Sequence, residues 1–402
     1  MFTKKLLITS ILASVTASPV LAKEENEDFK NKEIQSIENE QFTDGRQKDD
    51  ADLYALNVSK EDSEKIRKKN EKKDEPIELY GQVAISMFSF AEDGKDTVNR
   101  IENESRIGFR GEKEMARAPK LVWQIEGNNV GWSDNEGDGQ FGLRDTYAGF
   151  TDEKWGLIRF GRFTTPLYDI VDWPYSNPGL GNVFDWGADI EGGANYERQS
   201  DQISWKSPVW SGVSVVAAVG RGNNPNDSDS NFIGGSAHYT GGPLKLHLGY
   251  EHGTGRLVNV EDTSGETDGK TAQSEYTTYI AGYELNFKNG IGLFGAYKVM
   301  TAEYSDYSSE SLKSEIGEAQ DQTAYSVGAL YSTGYWQFKI GYAANSDLEI
   351  DSVKVADTAD NVISGQAMYF IDDDAIVYLR LKAMELDSVD FTEARLGLEY
   401  YF

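Results

Sequence analysis

The sequence predicts an all-β protein, a 16-stranded antiparallel transmembrane β-barrel, and three observations carry the prediction. Beyond residue 22 there is no run of about eighteen apolar residues, so a membrane crossing has to be made by strands rather than helices. From Ile77 to Phe402 apolar and polar residues alternate with a period of two, interrupted by Gly, Asp, Asn and Ser. The interruptions alternate between short and long, the mark of a barrel with tight turns at one rim and loops at the other. Each such strand shows one residue to lipid and the next to water, so its average hydropathy says nothing against a bilayer.

Taken in order, Lys4-Lys5 precede an apolar stretch from Leu6 to Leu21 that ends Val20-Leu21-Ala22, the pattern of a cleavable signal peptide over residues 1–22 with Lys23 as the mature start. Thr9, Ser10, Ser14, Thr16, Ser18 and Pro19 interrupt the apolar core and make it short for a spanning anchor. Residues 23–76 hold 12 Lys/Arg and 17 Asp/Glu, with only scattered apolar positions such as Phe29, Ile34, Phe42 and Leu53. A segment of that composition cannot bury a core and is expected to be a disordered periplasmic extension, apart from a short charged helix capped at Ser59-Lys60-Glu61-Asp62. A plug or docking element is the other reading of it.

The barrel is assigned to residues 77–402. Its expected strands begin with Ile77–Phe90, Asn103–Glu114, Lys120–Val130, Phe141–Thr151 and Lys154–Phe163. After a long loop come Arg198–Ser207, Gly212–Arg221, Asn231–Thr240, Pro243–Gly253, Glu275–Phe287 and Ile291–Tyr304. Gln322–Thr333, Tyr335–Asn345, Asn361–Ile371, Ala375–Asp387 and Phe391–Phe402 complete the sixteen. Short turns at Met115–Pro119, Asp152–Glu153, Pro208–Ser211, Gly241–Gly242, Lys288–Gly290, Gly334 and Asp372–Asp374 are assigned to the periplasmic rim, with long acidic loops such as Thr254–Ser274 and Ser305–Asp321 outside. The last strand shows the two faces most clearly: Ala394, Leu396, Leu398, Tyr400 and Phe402 share one side, and Glu393, Arg395, Gly397 and Glu399 the other.

Composition narrows the function classes. Cysteine is absent, which removes disulfides, thiolate metal sites and Cys nucleophiles together. The 22 Tyr, 18 Phe and 8 Trp against 9 Pro suit long strands with aromatic belts at the two membrane interfaces. A net charge of −28 argues against nucleic-acid binding, which needs a basic face. The three histidines, His238, His247 and His252, sit in no metal-ligand motif. Alternation sends His238 and His247 to the lumen and His252 to the other face, so no cluster, catalytic residue, metal site or cofactor is expected.

Several blocks in fixed order resemble the general trimeric porins of Gram-negative bacteria. They are Ile77-Glu78-Leu79-Tyr80-Gly81, Arg106-Ile107-Gly108-Phe109-Arg110-Gly111-Glu112, Arg144 with Tyr147-Ala148-Gly149-Phe150, and Gly156-Leu157-Ile158-Arg159-Phe160-Gly161-Arg162. Arg198-Gln199-Ser200-Asp201-Gln202-Ile203-Ser204-Trp205-Lys206-Ser207-Pro208 and the terminal Tyr400-Tyr401-Phe402 extend the likeness over 77–402. The resemblance implies a homotrimer set in outer-membrane lipid and lipopolysaccharide. It implies passive diffusion of ions and small hydrophilic solutes, and an inward-folded third external loop whose acids face a ladder of wall arginines.

That ladder maps onto Arg106, Arg144 and Arg198, and strand parity points all three into the lumen, Arg144 by its opposition to Tyr147. Arg162 shares the face of Ile158 and Phe160 and reads as an interface or loop-base residue. Gln82 stands where the family often has lysine, and Glu126 adds an inward acid, so both are expected to line the pore. The constricting loop is expected from Thr164 to about Tyr196. It offers Asn177-Pro178-Gly179-Leu180-Gly181-Asn182 where enteric relatives carry an acidic Pro-Glu-Phe-Gly-Gly-Asp stretch. Its candidate acids are Asp169, Asp172, Asp185 and Asp189, with Asp169 and Asp172 favoured because Tyr168-Asp169 matches the start of the family loop.

Trp173, Tyr175, Phe184 and Trp186 crowd the same loop, as either an anchor against the wall or an aromatic track for sugars. Residues 77–402 hold 25 Lys/Arg and 50 Asp/Glu, which points to a weakly cation-selective channel if the acids line the vestibules. A sugar-selective channel and an adhesin or receptor acting through the outer loops are the alternatives.

Overall fold

A strand immersed in lipid satisfies its backbone only through its neighbours, so the sheet must close on itself. The computed structural model describes residues 77–130, 139–185, 190–224, 227–259, 270–386 and 388–402. The expected signal peptide, the 23–76 segment with the helix expected at Ser59, Trp186 and Asp189 lie outside the described residues.

The first strand, β1 (Glu78–Glu92), pairs with a bent β2 made of Val98–Asn103 and Arg106–Lys113. The barrel continues through β3 (Lys120–Gly127), β4 (Phe141–Asp152), β5 (Gly156–Thr164), β6 (Arg198–Lys206), β7 (Val213–Arg221), β8 (Asn231–Gly241) and β9 (Leu244–Asn259). It goes on with β10 (Thr271–Asn286), β11 (Ile291–Ser305), β12 (Ala319–Thr333), β13 (Trp336–Asn345), β14 (Asn361–Asp372), β15 (Ala375–Leu386) and β16 (Val389–Tyr401). A small ladder between Glu349–Ile350 and Val353–Lys354 decorates the loop between β13 and β14. Every strand pairs antiparallel with the next, and β1 closes on β16 from Gln82↔Tyr401 to Glu92↔Phe391. Gly81 and Phe402 exchange backbone hydrogen bonds at that seam, so the described sixteen strands form a closed antiparallel barrel.

The two faces separate as the alternation requires. Val83, Ile85, Leu248, Tyr297, Ile340, Leu396 and Leu398 stand exposed on the outside, where lipid replaces the missing contacts. Gln124, Ser236, Glu251, Ser326, Lys339 and Lys382, from the opposite face, are buried. Near the short-turn rim Trp336 stacks on Phe338 at 5.8 Å and lies 4.9 Å from Tyr369, part of an outward aromatic belt.

The expected turns fall where the chain reverses. Strand β9 is longer than the alternation suggests: it runs on to Asn259 through an irregularity between Gly253 and Arg256, so the loop expected from Thr254 starts six residues later. Period two breaks at such a bulge while pairing continues, which is why the pattern appeared to end there. Between β5 and β6 lie α1 (Pro166–Ile170), a π-type turn at Val171–Tyr175 and α2 (Gly181–Phe184). Thr165 caps α1 by accepting from the backbone N–H of Tyr168, and Pro166 follows at the first helical position.

Candidate functional site

The described parts of the connection between β5 and β6, residues 165–185 and 190–197, lie against the inward-facing side of the wall. Leu167, Ile170, Val171, Tyr175, Leu180, Val183 and Phe184 are almost wholly excluded from solvent. Room for them comes from small wall residues. A methyl group built on Gly249 of β9 would sit 3.0 Å from Ile170, one on Gly341 of β13 would sit 2.7 Å from Leu180, and one on Gly282 of β10 would collide with the Tyr175 hydroxyl.

Three wall lysines then reach the loop's polar atoms. The Lys298 ammonium donates to the Phe184 carbonyl at 2.5 Å, at the C-terminal end of α2, where the helix dipole favours a cation. Lys382 donates to Asn182 Oδ1 at 2.9 Å and Lys339 to Asn177 Oδ1 at 3.4 Å, while Ser326 donates to the Tyr175 carbonyl at 2.6 Å. At the loop's end Glu251, fully buried, accepts from the backbone and side-chain amides of Asn195 and from the Tyr276 hydroxyl.

The sequence-predicted acids take separate places. Asp169 accepts from Thr164 at 2.5 Å at the loop base. Asp185 is 2% exposed, and burial together with the charge of Asp172 pushes its carboxyl well above the usual carboxylate range, against the opposing pull of Lys298. Asp172 is half-buried beside it.

Across the lumen, Arg144 donates to Glu126 at 2.5 Å, Arg106 lies 3.8 Å from the same carboxylate, and the Tyr80 hydroxyl donates to it at 2.6 Å. Arg198 pairs with Asp145 at 2.5 Å. Gln82 faces Arg106 across the β1–β2 ladder. Arg162 falls opposite Thr146 and donates to the Leu143 carbonyl and to Ser200.

Parity fails at Tyr147. It pairs with Gln124, donates to that side chain at 3.2 Å and is buried on the inner face, not the outer. The register of β3 against β4 slips between Ile125 and Gly127, and this irregularity, not opposition to Tyr147, aims Arg144 at Glu126.

Sequence reasoning missed Asp145, which has the parity of Tyr147 and turns inward with it. It also missed Arg159, whose guanidinium lies 4.2 Å over the Phe163 ring and whose position between Ile158 and Phe160 signals the inner face. The absence of a histidine cluster expected from alternation is corrected as well: His238 and His247 are cross-strand partners with Nδ1 atoms 2.9 Å apart. No group of three or more metal-ligating side chains occurs among the described residues.

With this geometry in hand, the chain was compared with known proteins. A family model described as Gram-negative porin matches residues 74–388. Chitoporin of Vibrio furnissii is 38% identical over 355 residues, spanning 81% of this chain and 91% of the relative. The major outer membrane protein P.IB of Neisseria gonorrhoeae is 24% identical over 317 residues, 72% of this chain and 83% of that one. Among solved structures, the anion-selective porin from Comamonas acidovorans superimposes with a TM-score of 0.62 at 18% identity, covering 81% of this chain and 99% of the other. The trimer form of OmpT from Vibrio cholerae gives 0.61 at 17% identity, with 81% and 99% covered.

Proposed function

The chain belongs to the Gram-negative porin family, and from that premise we propose that it is an outer-membrane diffusion channel whose 165–197 segment narrows the lumen and whose preferred solutes are neutral sugar oligomers. The observation that carries this reading is the local compensation of charge on the inner wall. A strong transverse field needs acids and bases held apart across the opening. Here Arg106 and Arg144 share Glu126, Arg198 has Asp145, Lys382 has Glu393 at 2.9 Å, and the loop presents Asn177 and Asn182 to the wall lysines. Charges neutralised within one contact project little field into the opening, so size and surface chemistry discriminate more than ionic sign does.

The likeness to a chitoporin over 91% of that relative's length supports sugars of the chitin type. Tyr175 and Phe184 are buried as anchors, whereas Trp173, 5.1 Å from Lys339, is half-buried. A weak cation preference is the second reading, favoured by 50 Asp/Glu against 25 Lys/Arg in residues 77–402. Assembly as a homotrimer in lipid and lipopolysaccharide fits the trimeric neighbour, and export is expected to leave Lys23 first in the mature protein.

The test is single-channel recording in a planar bilayer. Stepwise conductance is expected, interrupted by N-acetylglucosamine oligomers more than by glucose oligomers of equal length. Currents indifferent to both sugars would reduce the protein to a general diffusion channel. A strong chloride preference in a KCl gradient would refute the compensated wall.

A further inference from the structure

On the inner wall, three residues from the Gly241–Gly242 turn, four side chains form a chain of hydrogen bonds across β8, β9 and β10. His238 Nε2 lies 3.0 Å from Ser236 Oγ, His238 Nδ1 lies 2.9 Å from His247 Nδ1, and His247 Nε2 lies 3.1 Å from Glu284 Oε1. A carboxylate only accepts, so His247 must donate from Nε2 and, when neutral, accept at Nδ1. His238 therefore donates from Nδ1 and accepts the Ser236 hydroxyl proton at Nε2. The tautomers are fixed from one end to the other by Glu284.

This order decides what a proton does. One proton added at His238 Nε2 requires only that the Ser236 hydroxyl turn from donor to acceptor, and the bond from His238 to His247 survives. A second proton at His247 Nδ1 would set N–H against N–H across 2.9 Å. The pair is thus a one-proton site, and histidine is the side chain whose ordinary range falls between pH 5 and 8.

Resting on the channel reading above, we propose that the His238–His247–Glu284 relay is a selectivity-determining site that takes up a single proton and moves the channel's ion preference toward anions as pH falls. Charged and titratable groups face it from the neighbouring strands and from the loop. Lys245 of β9 lies 3.6 Å from Glu284 and balances it, so the unprotonated cluster is neutral and the protonated one carries one positive charge. Tyr175 of the loop meets His247 edge-on with ring centres 6.0 Å apart. Lys206 of β6 and Lys298 of β11 face inward on the neighbouring Ser236 row. His238 is half-buried, which leaves it open to protons, and His247 is enclosed.

Reversal potentials in a KCl gradient, recorded from the full chain in a planar bilayer at several pH values from 8 to 5, test the proposal. In the wild type the potassium-to-chloride permeability ratio should fall about twofold across that range. His238→Asn removes one of the two imidazoles while keeping a polar partner for His247, and its ratio should fall less steeply than the wild type's. Glu284→Gln removes the carboxylate that favours the charged relay, and the response should begin at lower pH than in the wild type. Stepwise conductance with the same pH slope in His238→Asn as in the wild type would overturn the proton site and leave the channel intact. Failure of the wild type to give conductance steps at all would overturn both.

Discussion

The two halves of the inner wall solve different problems with the same strand geometry. From β1 to β6 the inner face is built of charge: Glu78 with Arg110 at 2.9 Å, Glu126 with Arg106 and Arg144, and Asp145 with Arg198. From β9 to β15 it is built of small residues and lysine stems, and the 165–197 segment covers it. A wall that faces water keeps its charges and must pair them to hold a fixed shape. A wall that faces protein needs depth, and it gains depth by giving up side chains at Gly249, Gly282 and Gly341. The lysines in that second half extend over the apolar loop and place their ammonium groups on its carbonyls and amides.

The largest expected effect comes from filling the berth in the covered half. Gly282→Val would place a branched side chain where Tyr175 now lies, and Tyr175 is fully enclosed by protein. Overpacking of this kind costs about 1–3 kcal/mol. It should appear as a lower unfolding temperature by circular dichroism in detergent, together with a larger and noisier single-channel current as the loop leaves the wall. An unchanged current and melting curve would mean that the loop does not depend on this berth, and the contrast between the halves would lose its basis.

In the open half the corresponding change is Glu126→Gln, whose effect is read in selectivity rather than in packing. The substitution removes the carboxylate shared by Arg106, Arg144 and Tyr80 and leaves two guanidinium groups without their common acid. Chloride permeability relative to potassium should rise about twofold, read from reversal potentials at neutral pH. A ratio that does not move would show that the arginines have other acids within reach, and that compensation on this wall is spread rather than local.

How much of this was legible in the sequence follows the same division. Period two marked every barrel strand, because one wall between lipid and water imposes one rule on each of them. Parity also aimed Arg106, Arg198 and Glu126 inward. It failed at two places: Tyr147, set opposite Arg144 by parity, lies inward with Asp145 while the β3–β4 irregularity beyond Thr146 brings Arg144 to the same face, and the irregularity near Gly253 hid the end of β9. Alternation cannot report a slip, since a bulge changes register without changing composition. The berth was invisible for another reason. Gly249, Gly282 and Gly341 read as ordinary strand glycines until the loop that fills the space they leave is placed against them, and that contact joins residues far apart in the chain. Likewise nothing local to His238 announces that alternation will set it directly opposite His247.

The smallest expected effect sharpens the comparison at the junction of the halves, where Asp185 of the loop lies near Lys298 of the wall. Burial first, and the neighbouring Asp172 second, raise the Asp185 carboxyl above its unfolded value, while Lys298 lowers it. A carboxyl raised in the folded state binds a proton more readily there than in the unfolded chain, so it costs stability at neutral pH and returns that stability as pH falls through its folded value toward about 4. Asp185→Asn removes the titration. The wild type should therefore gain stability relative to the variant as pH is lowered from 7 to 4.5, measured as the difference in urea midpoints of the two proteins. A difference that shrinks in the opposite direction, with the wild type losing ground on acidification, would mean that Lys298 outweighs burial. The loop would then be held to the wall by an ion pair rather than by the packing and the lysine–carbonyl bond that the Phe184 contact provides.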